Sequence, residues 1–184
     1  MTNTGALRRS AQSDIAFAGG LWNHVDGLKK GLSDWYQMKL NELIIRAATA
    51  ADTPDLSRIF FESRKETFYW IEADMFSIHD FLGSVRDEEV YVADHEGVAV
   101  GFISIWKPES FIHNLYVDKP FKNNGVGTAL LEFCRQRYAS PLQLKVAAQN
   151  EPAVAFYRHR GWREIERGVE LPTGEYLLMH LTYA

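Results

Sequence analysis

The chain has 184 residues, 46% hydrophobic and 24% charged, with a formal net charge of −4. These values suit one globular domain with its own core, and the acidic balance leaves no basic footprint for nucleic acid. No apolar run reaches the roughly 18 residues of a bilayer span, Asp14 interrupts the only stretch resembling a secretory leader, and the single cysteine, Cys134, closes no disulfide within the chain, so a reducing cytoplasm is the expected location.

Residues 1–40 carry Gly19-Gly20, Gly27 and Gly31 with scattered aromatics and no sustained period. They are expected to form an N-terminal extension, a loose arm or short helices. Met38 offers an alternative start, in which case residues 1–37 would be an over-extended reading frame. The folded domain is expected over 41–184. Leu43-Ile44-Ile45-Arg46 reads as a first strand. Asp52, Thr53 and Pro54 are helix-start types, and Leu56, Ile59, Phe60 and Ser63 step along one face, which predicts a helix to about 68. A second short helix is expected over 75–85. Strands over 90–93 and 98–106 flank the tight turn His95-Glu96-Gly97. A central strand is expected over 111–118, another over 142–146, and two more over 163–170 and 175–182, joined by Pro172-Thr173-Gly174. With helices after Gly127 and Asn150, the order is β-α-α-β-β-β-α-β-α-β-β, an α/β mixed sheet covered on both faces.

Two motifs carry the chemistry. The first is Leu115-Tyr116-Val117 followed by Asp118-Lys119-Pro120-Phe121-Lys122-Asn123-Asn124-Gly125-Val126-Gly127-Thr128 and a helical pattern. A helix N-terminus exposes unpaired N–H groups and the positive end of the macrodipole, and glycines let backbone approach a ligand, so this order can cradle a phosphate. It is not a P-loop, because Thr128 follows Gly127 with no Lys, and it is not a dinucleotide fingerprint, because Leu130 stands where a third Gly is needed. The competing reading of the loop by itself is a ligand-free strand-to-helix turn. The second motif follows the strand at 142–146. Asn150 suits an N-cap, Pro152 a first turn, Gly161 a stop, and Ala153 and Tyr157 share a helical face.

The Lys122-x-x-Gly125-x-Gly127 loop resembles the acetyl-CoA loop of the GCN5-related N-acetyltransferase (GNAT) superfamily, usually Gln/Arg-x-x-Gly-x-Gly/Ala, with Lys122 as the departure. Asn150, Ala153, Phe156-Tyr157 and Gly161-Trp162 resemble that superfamily's second signature. The likeness covers about 43–182. It implies a GNAT-like, mostly antiparallel central sheet of about seven strands, with helices on both faces and a cleft where the strands ending near Val117 and Val146 splay. It further implies acetyl-CoA as donor and acetyl transfer to a primary amine by direct attack in a ternary complex. The pyrophosphate would rest on the backbone of Lys122, Asn123, Asn124, Gly125, Val126, Gly127 and Thr128. The pantetheine would pair with the backbone of Leu115, Tyr116 and Val117, and with Asn150, beside Ala153 and Phe156. Tyr157 would protonate the leaving thiolate; the other reading is an aromatic packing one helix face.

The base is less legible. Alternation along the central strand puts His113 on the side of Leu115 and Val117, where an imidazole can take a proton, directly or through water; a packed strand histidine is the competing reading. The strand glutamate some family members use is replaced by Lys145. Arg158 and Arg160 read either as phosphate contacts or as a solvated helix face. Phe68, Tyr69, Trp70, Glu72, Asp74 and Phe76 would make an acidic, aromatic lining for a cationic amine if they face the acceptor, or core and loop if they do not. Cys134 reads as a small core residue, and the histidines lack metal-ligand spacing. The acceptor is expected to be a small-molecule or peptide amine, and a homodimer through the last strands is compatible with the pattern. The alternative to an enzyme is a sensor that binds acyl-CoA without turnover.

Overall fold

A computed structural model describes residues 43–183. The extension expected over 1–40, with the alternative start at Met38, lies outside the described residues. The chain runs β1 (Leu43–Ala47), α1 (Thr53–Thr67), α2 (Asp80–Ser84), β2 (Glu89–His95), β3 (Val98–Trp106), β4 (Phe111–Val117), α3 (Val126–Arg135), β5 (Leu142–Ala147), α4 (Glu151–Arg158), β6 (Arg163–Glu170) and β7 (Gly174–Leu181). The seven strands form one sheet in the order β1-β2-β3-β4-β5-β7-β6. Every neighbouring pair is antiparallel except β4–β5.

One face of the sheet is covered by α1 and α2, where Leu56, Ile59, Phe60 and Phe81 pack on Val92 and Phe102. The other is covered by α3 and α4, where Val126, Leu130, Cys134, Val154 and Tyr157 pack on Val100, Ile103, Ile112 and Leu144. That two-sided burial explains why β3 reads as an almost unbroken apolar run. Among the described residues, no helix is long and apolar enough to cross a membrane.

The start of α1 is pinned from outside the helix. Asp52 accepts from the Thr49 backbone N–H at 2.7 Å and from both terminal nitrogens of Arg46 on β1, at 2.7 and 2.8 Å. The second helix is shorter than expected. A single 3-10 turn spans Ala73–Met75, Phe76 is extended and buried, and α2 begins only at Asp80. Asp80 accepts from the Ser77 N–H at 3.0 Å and from Arg64 of α1 at 2.9 Å, which sets where the helix can start. The β2–β3 turn uses Glu96 and Gly97, both at positive φ (54° and 82°), the two-residue geometry that matches strand twist.

The feature that makes a site is the β4–β5 pair. The two strands are joined only at Phe111–Gln143 and Ile112–Leu144 and then separate. The register between β3 and β4 jumps at that level: Ile105 faces Ile112 and Ser104 faces Asn114, leaving His113 as an extra residue. Such a bulge bends its strand and raises the local twist, at the point where β4 leaves β5.

Candidate active site

The separation of β4 from β5 opens a cleft of about 580 Å³. Beyond Ile112, the backbone groups of β4 that point toward β5 have no ladder partner there, so an extended ligand can take them. Leu115, Tyr116 and Val117 line this part of the cleft.

Its outer end is the loop expected to cradle a phosphate. Asn123 and Gly125 both adopt positive φ, 64° and 85°. Gly125 has no Cβ to strain there, and Asn is among the side chains that tolerate the left-handed region. Gly125 is the N-cap of α3, and its carbonyl accepts from the Ala129 N–H at 2.9 Å. The N–H groups of the first turn, Val126 to Thr128, therefore lack helical partners and add to the positive end of the helix. Lys122, Asn123, Gly125, Gly127 and Thr128 line the cleft. Asn124 and Val126 do not; Val126 is buried in the core, so only its main chain can serve a ligand.

The structure separates the two arginines. Arg158 pairs with Glu164 at 3.1 Å, away from the cleft. Arg160 lines it, lies 3.7 Å over the Phe156 ring and donates to the Thr128 hydroxyl at 2.6 and 3.1 Å, tying α4 to the first turn of α3. Lys122 reaches α1, where its ammonium meets Glu66 at 2.6 Å beside Lys119 at 3.1 Å. These two lysines hold the Glu66 carboxyl below the usual range.

On the second motif, Asn150 caps α4 by accepting from the Ala153 N–H at 3.3 Å, and both residues line the cleft. Tyr157, one turn further on, is 8% exposed and held between Phe156 and Trp162, ring centroids 5.2 and 5.6 Å away. Its hydroxyl has no hydrogen bond among the described residues. Burial, with a smaller contribution from Tyr116, raises its pKa well above the ordinary phenol value. Tyr116 itself is pushed up to about 12 by burial. Both phenols stay protonated at neutral pH and are available as donors.

The opposite mouth differs from the sequence expectation. Of the aromatic and acidic run after α1, only Phe68 lines the cleft. Phe76 is buried with the Arg64 guanidinium 4.6 Å from its ring. Trp70 donates to the Thr173 carbonyl at 3.2 Å, fastening this loop to the β6–β7 hairpin. Tyr69, Glu72 and Asp74 are exposed and outside the cleft. The nitrogen-bearing side chains facing the cavity here are His113 and Lys145, the latter paired with Glu170 at 3.0 Å. His113 lines the cleft with Leu115 and Val117, but not by simple alternation. The bulge breaks the period: Ile112 packs with Leu115 and Val117 in the larger core, while the His113 ring sits 4.7 Å from Phe111. Its Nδ1 contacts a carboxylate oxygen of Glu88, a residue that sequence reading passed over within the polar run Arg86-Asp87-Glu88-Glu89.

This architecture is that of an N-acetyltransferase. The sequence model of the Acetyltransferase (GNAT) family matches residues 52–162, more than half of the chain, and the chain belongs to that family. It is 27% identical over 128 residues to the peptidyl-lysine N-acetyltransferase YiaC of Escherichia coli, across 67% of this chain and 85% of that one. It is 28% identical over 167 residues to an uncharacterized N-acetyltransferase of Methanocaldococcus jannaschii, across 77% of this chain and 74% of that one. Among solved structures, an N-acetyltransferase of Thermoplasma acidophilum in complex with coenzyme A superposes with a TM-score of 0.63 at 20% identity, covering 77% of this chain and 99% of that one. That likeness is one of fold.

Proposed function

We propose that this protein transfers the acetyl group of acetyl-CoA to a primary amine by direct attack within a ternary complex. The observation that carries this reading is the fork between β4 and β5, which presents unpaired strand backbone next to the N-terminus of α3. A pantetheine arm can lie along Leu115, Tyr116 and Val117 as an extra strand, with Asn150 opposite, while the pyrophosphate meets the N–H groups from Asn123 to Thr128. Arg160 stands at the same end to give a charge-assisted bond to phosphate. The complex of the Thermoplasma acidophilum protein with coenzyme A supports this choice of donor.

The acetyl carbonyl then lies near the fork. Backbone N–H groups of β4 would stabilise the oxyanion, each such donor typically contributing about 2.7–4 kcal/mol. Tyr157, protonated and without a competing partner, would give its proton to the departing thiolate. His113, across the cleft, would take the proton of the amine. The peptidyl-lysine relative makes a lysine side chain a natural member of the acceptor panel.

The test is coenzyme A release from acetyl-CoA with amino acids, polyamines, aminoglycosides and lysine peptides, alongside calorimetric binding of acetyl-CoA. Turnover with any amine supports the reading. Tight binding with no turnover on the whole panel favours the acyl-CoA sensor. No binding removes both.

A further inference from the structure

We propose that Glu88 is a positioning residue for His113, holding the imidazole in the tautomer that leaves Nε2 bare toward the acceptor amine. This rests on the acetyl-transfer reading above.

Three observations lead here. Glu88 Oε1 contacts His113 Nδ1, and the Glu88 side chain is only 6% exposed while that of His113 is 47% exposed. The second oxygen, Oε2, is buried and has no hydrogen-bond partner among the described residues. The bulge at His113 frees this residue from strand pairing and places it on the cleft wall.

A buried carboxylate with one oxygen unpartnered is costly. A purely structural acid at this position would be expected to have both oxygens satisfied. The contact its Oε1 makes is to the one imidazole lining the cleft, and the cost is offset when that ring carries a positive charge. In neutral imidazole one nitrogen donates and the other accepts. With Nδ1–H donating to Glu88, Nε2 on the far edge of the ring keeps its lone pair.

The other groups around the ring argue the same way. Lys145 faces the cavity from β5, already paired with Glu170, and Tyr116 and Tyr157 are neutral phenols. A cation forming on His113 would meet Lys145 across the cleft, and Glu88 is the carboxylate in contact to stabilise it. In the reaction the amine nitrogen bonds to the acetyl carbon as the carbon–sulfur bond breaks. The nitrogen's proton passes to Nε2, the thiolate takes one from Tyr157, and exchange with solvent restores both groups.

The first measurement is nitrogen-15 NMR of the His113 ring in the protein without an acceptor. The expected result is the Nδ1–H tautomer, reverting in Glu88→Gln toward the Nε2–H form favoured by an unconstrained histidine side chain. The second is turnover with the best acceptor of the panel, for Glu88→Gln, His113→Gln and the double variant. Glu88→Gln should lower kcat by about ten-fold or more, within the range of general-base effects, with acetyl-CoA affinity unchanged. In the His113→Gln background it should cost nothing further. An Nε2–H tautomer in the wild type overturns the proposal even if Glu88→Gln fails to fold. So does an undiminished effect of Glu88→Gln in the absence of His113. Failure of acetyl transfer itself would show separately, as no turnover by the wild type on any amine, while the tautomer still decides whether Glu88 orients the ring.

Discussion

Replacing Tyr157 by Phe removes one oxygen and leaves the packing in place. The ring is held by Phe156 and Trp162 and is 8% exposed, so Phe fills the same space. The hydroxyl has no hydrogen bond among the described residues and belongs to a side chain on the cleft wall, where water can reach it. Its removal should therefore leave stability within about 1 kcal/mol of the parent, or roughly 2–4 °C in Tm for a domain of this size. Turnover should move the other way. If Tyr157 protonates the thiolate, its loss should lower kcat at least about ten-fold, and general acid catalysis commonly reaches 10²–10⁴-fold. Acetyl-CoA affinity should hardly change, because the cradle is built from other residues. Thermal unfolding, calorimetry with acetyl-CoA and the coenzyme A release assay read the three quantities on one preparation. Equal kcat in the two proteins would refute the acid role. A clear fall in Tm would refute the claim that the hydroxyl is unpartnered in the folded state.

Gly125→Ala forces a side chain onto a residue at φ 85°, a strain of about 1–2 kcal/mol in the loop proposed to hold the pyrophosphate; acetyl-CoA should bind about ten-fold more weakly by calorimetry, whereas an unchanged Kd would mean the loop is not the cradle. Arg46 holds the Asp52 carboxyl well below the usual carboxylate range, so the stability it contributes is present above its ordinary value near 4 and is lost as the pH falls below it. Asp52→Asn should cost roughly 1–3 kcal/mol at pH 7 and flatten the decline of the urea midpoint between pH 5 and pH 2. Cys134 is fully buried and burial pushes its thiol up to about 12; it should resist a disulfide reagent at pH 8 in the native protein and react at once in urea, and fast native reaction would contradict that burial.

What could be read from the chain alone follows how local each decision is. The loop before α3 was legible because a positive φ at Gly125 and the helix start after it depend on a few consecutive residues. The Asn150 cap was legible for the same reason. The apolar steps of α1 and the unbroken run of β3 made the sheet and its covering helices readable. The start of α2 was not, because Asp80 is held by Arg64 from another helix. The acidic, aromatic lining expected of the loop after α1 depended on which way that loop turns, and Trp70 is drawn to the β6–β7 hairpin more than a hundred residues later. His113 lines the cleft beside Leu115 and Val117 as expected, but the bulge at His113 was not legible, because it is decided by how β4 meets β3.

The sequence by itself determined the element order, the Gly125–Gly127 loop into α3, the capped helix that carries Tyr157 and the family to which they point, since all of these are encoded in short-range conformational preference. Tertiary structure decided that Arg160 reaches the cleft and Arg158 does not, that Lys122 is shared with Glu66, and that Glu88 stands behind His113. Those are meetings of side chains far apart in the chain, and electrostatic and hydrogen-bonding partners are chosen by distances of a few ångströms that only the packed fold sets.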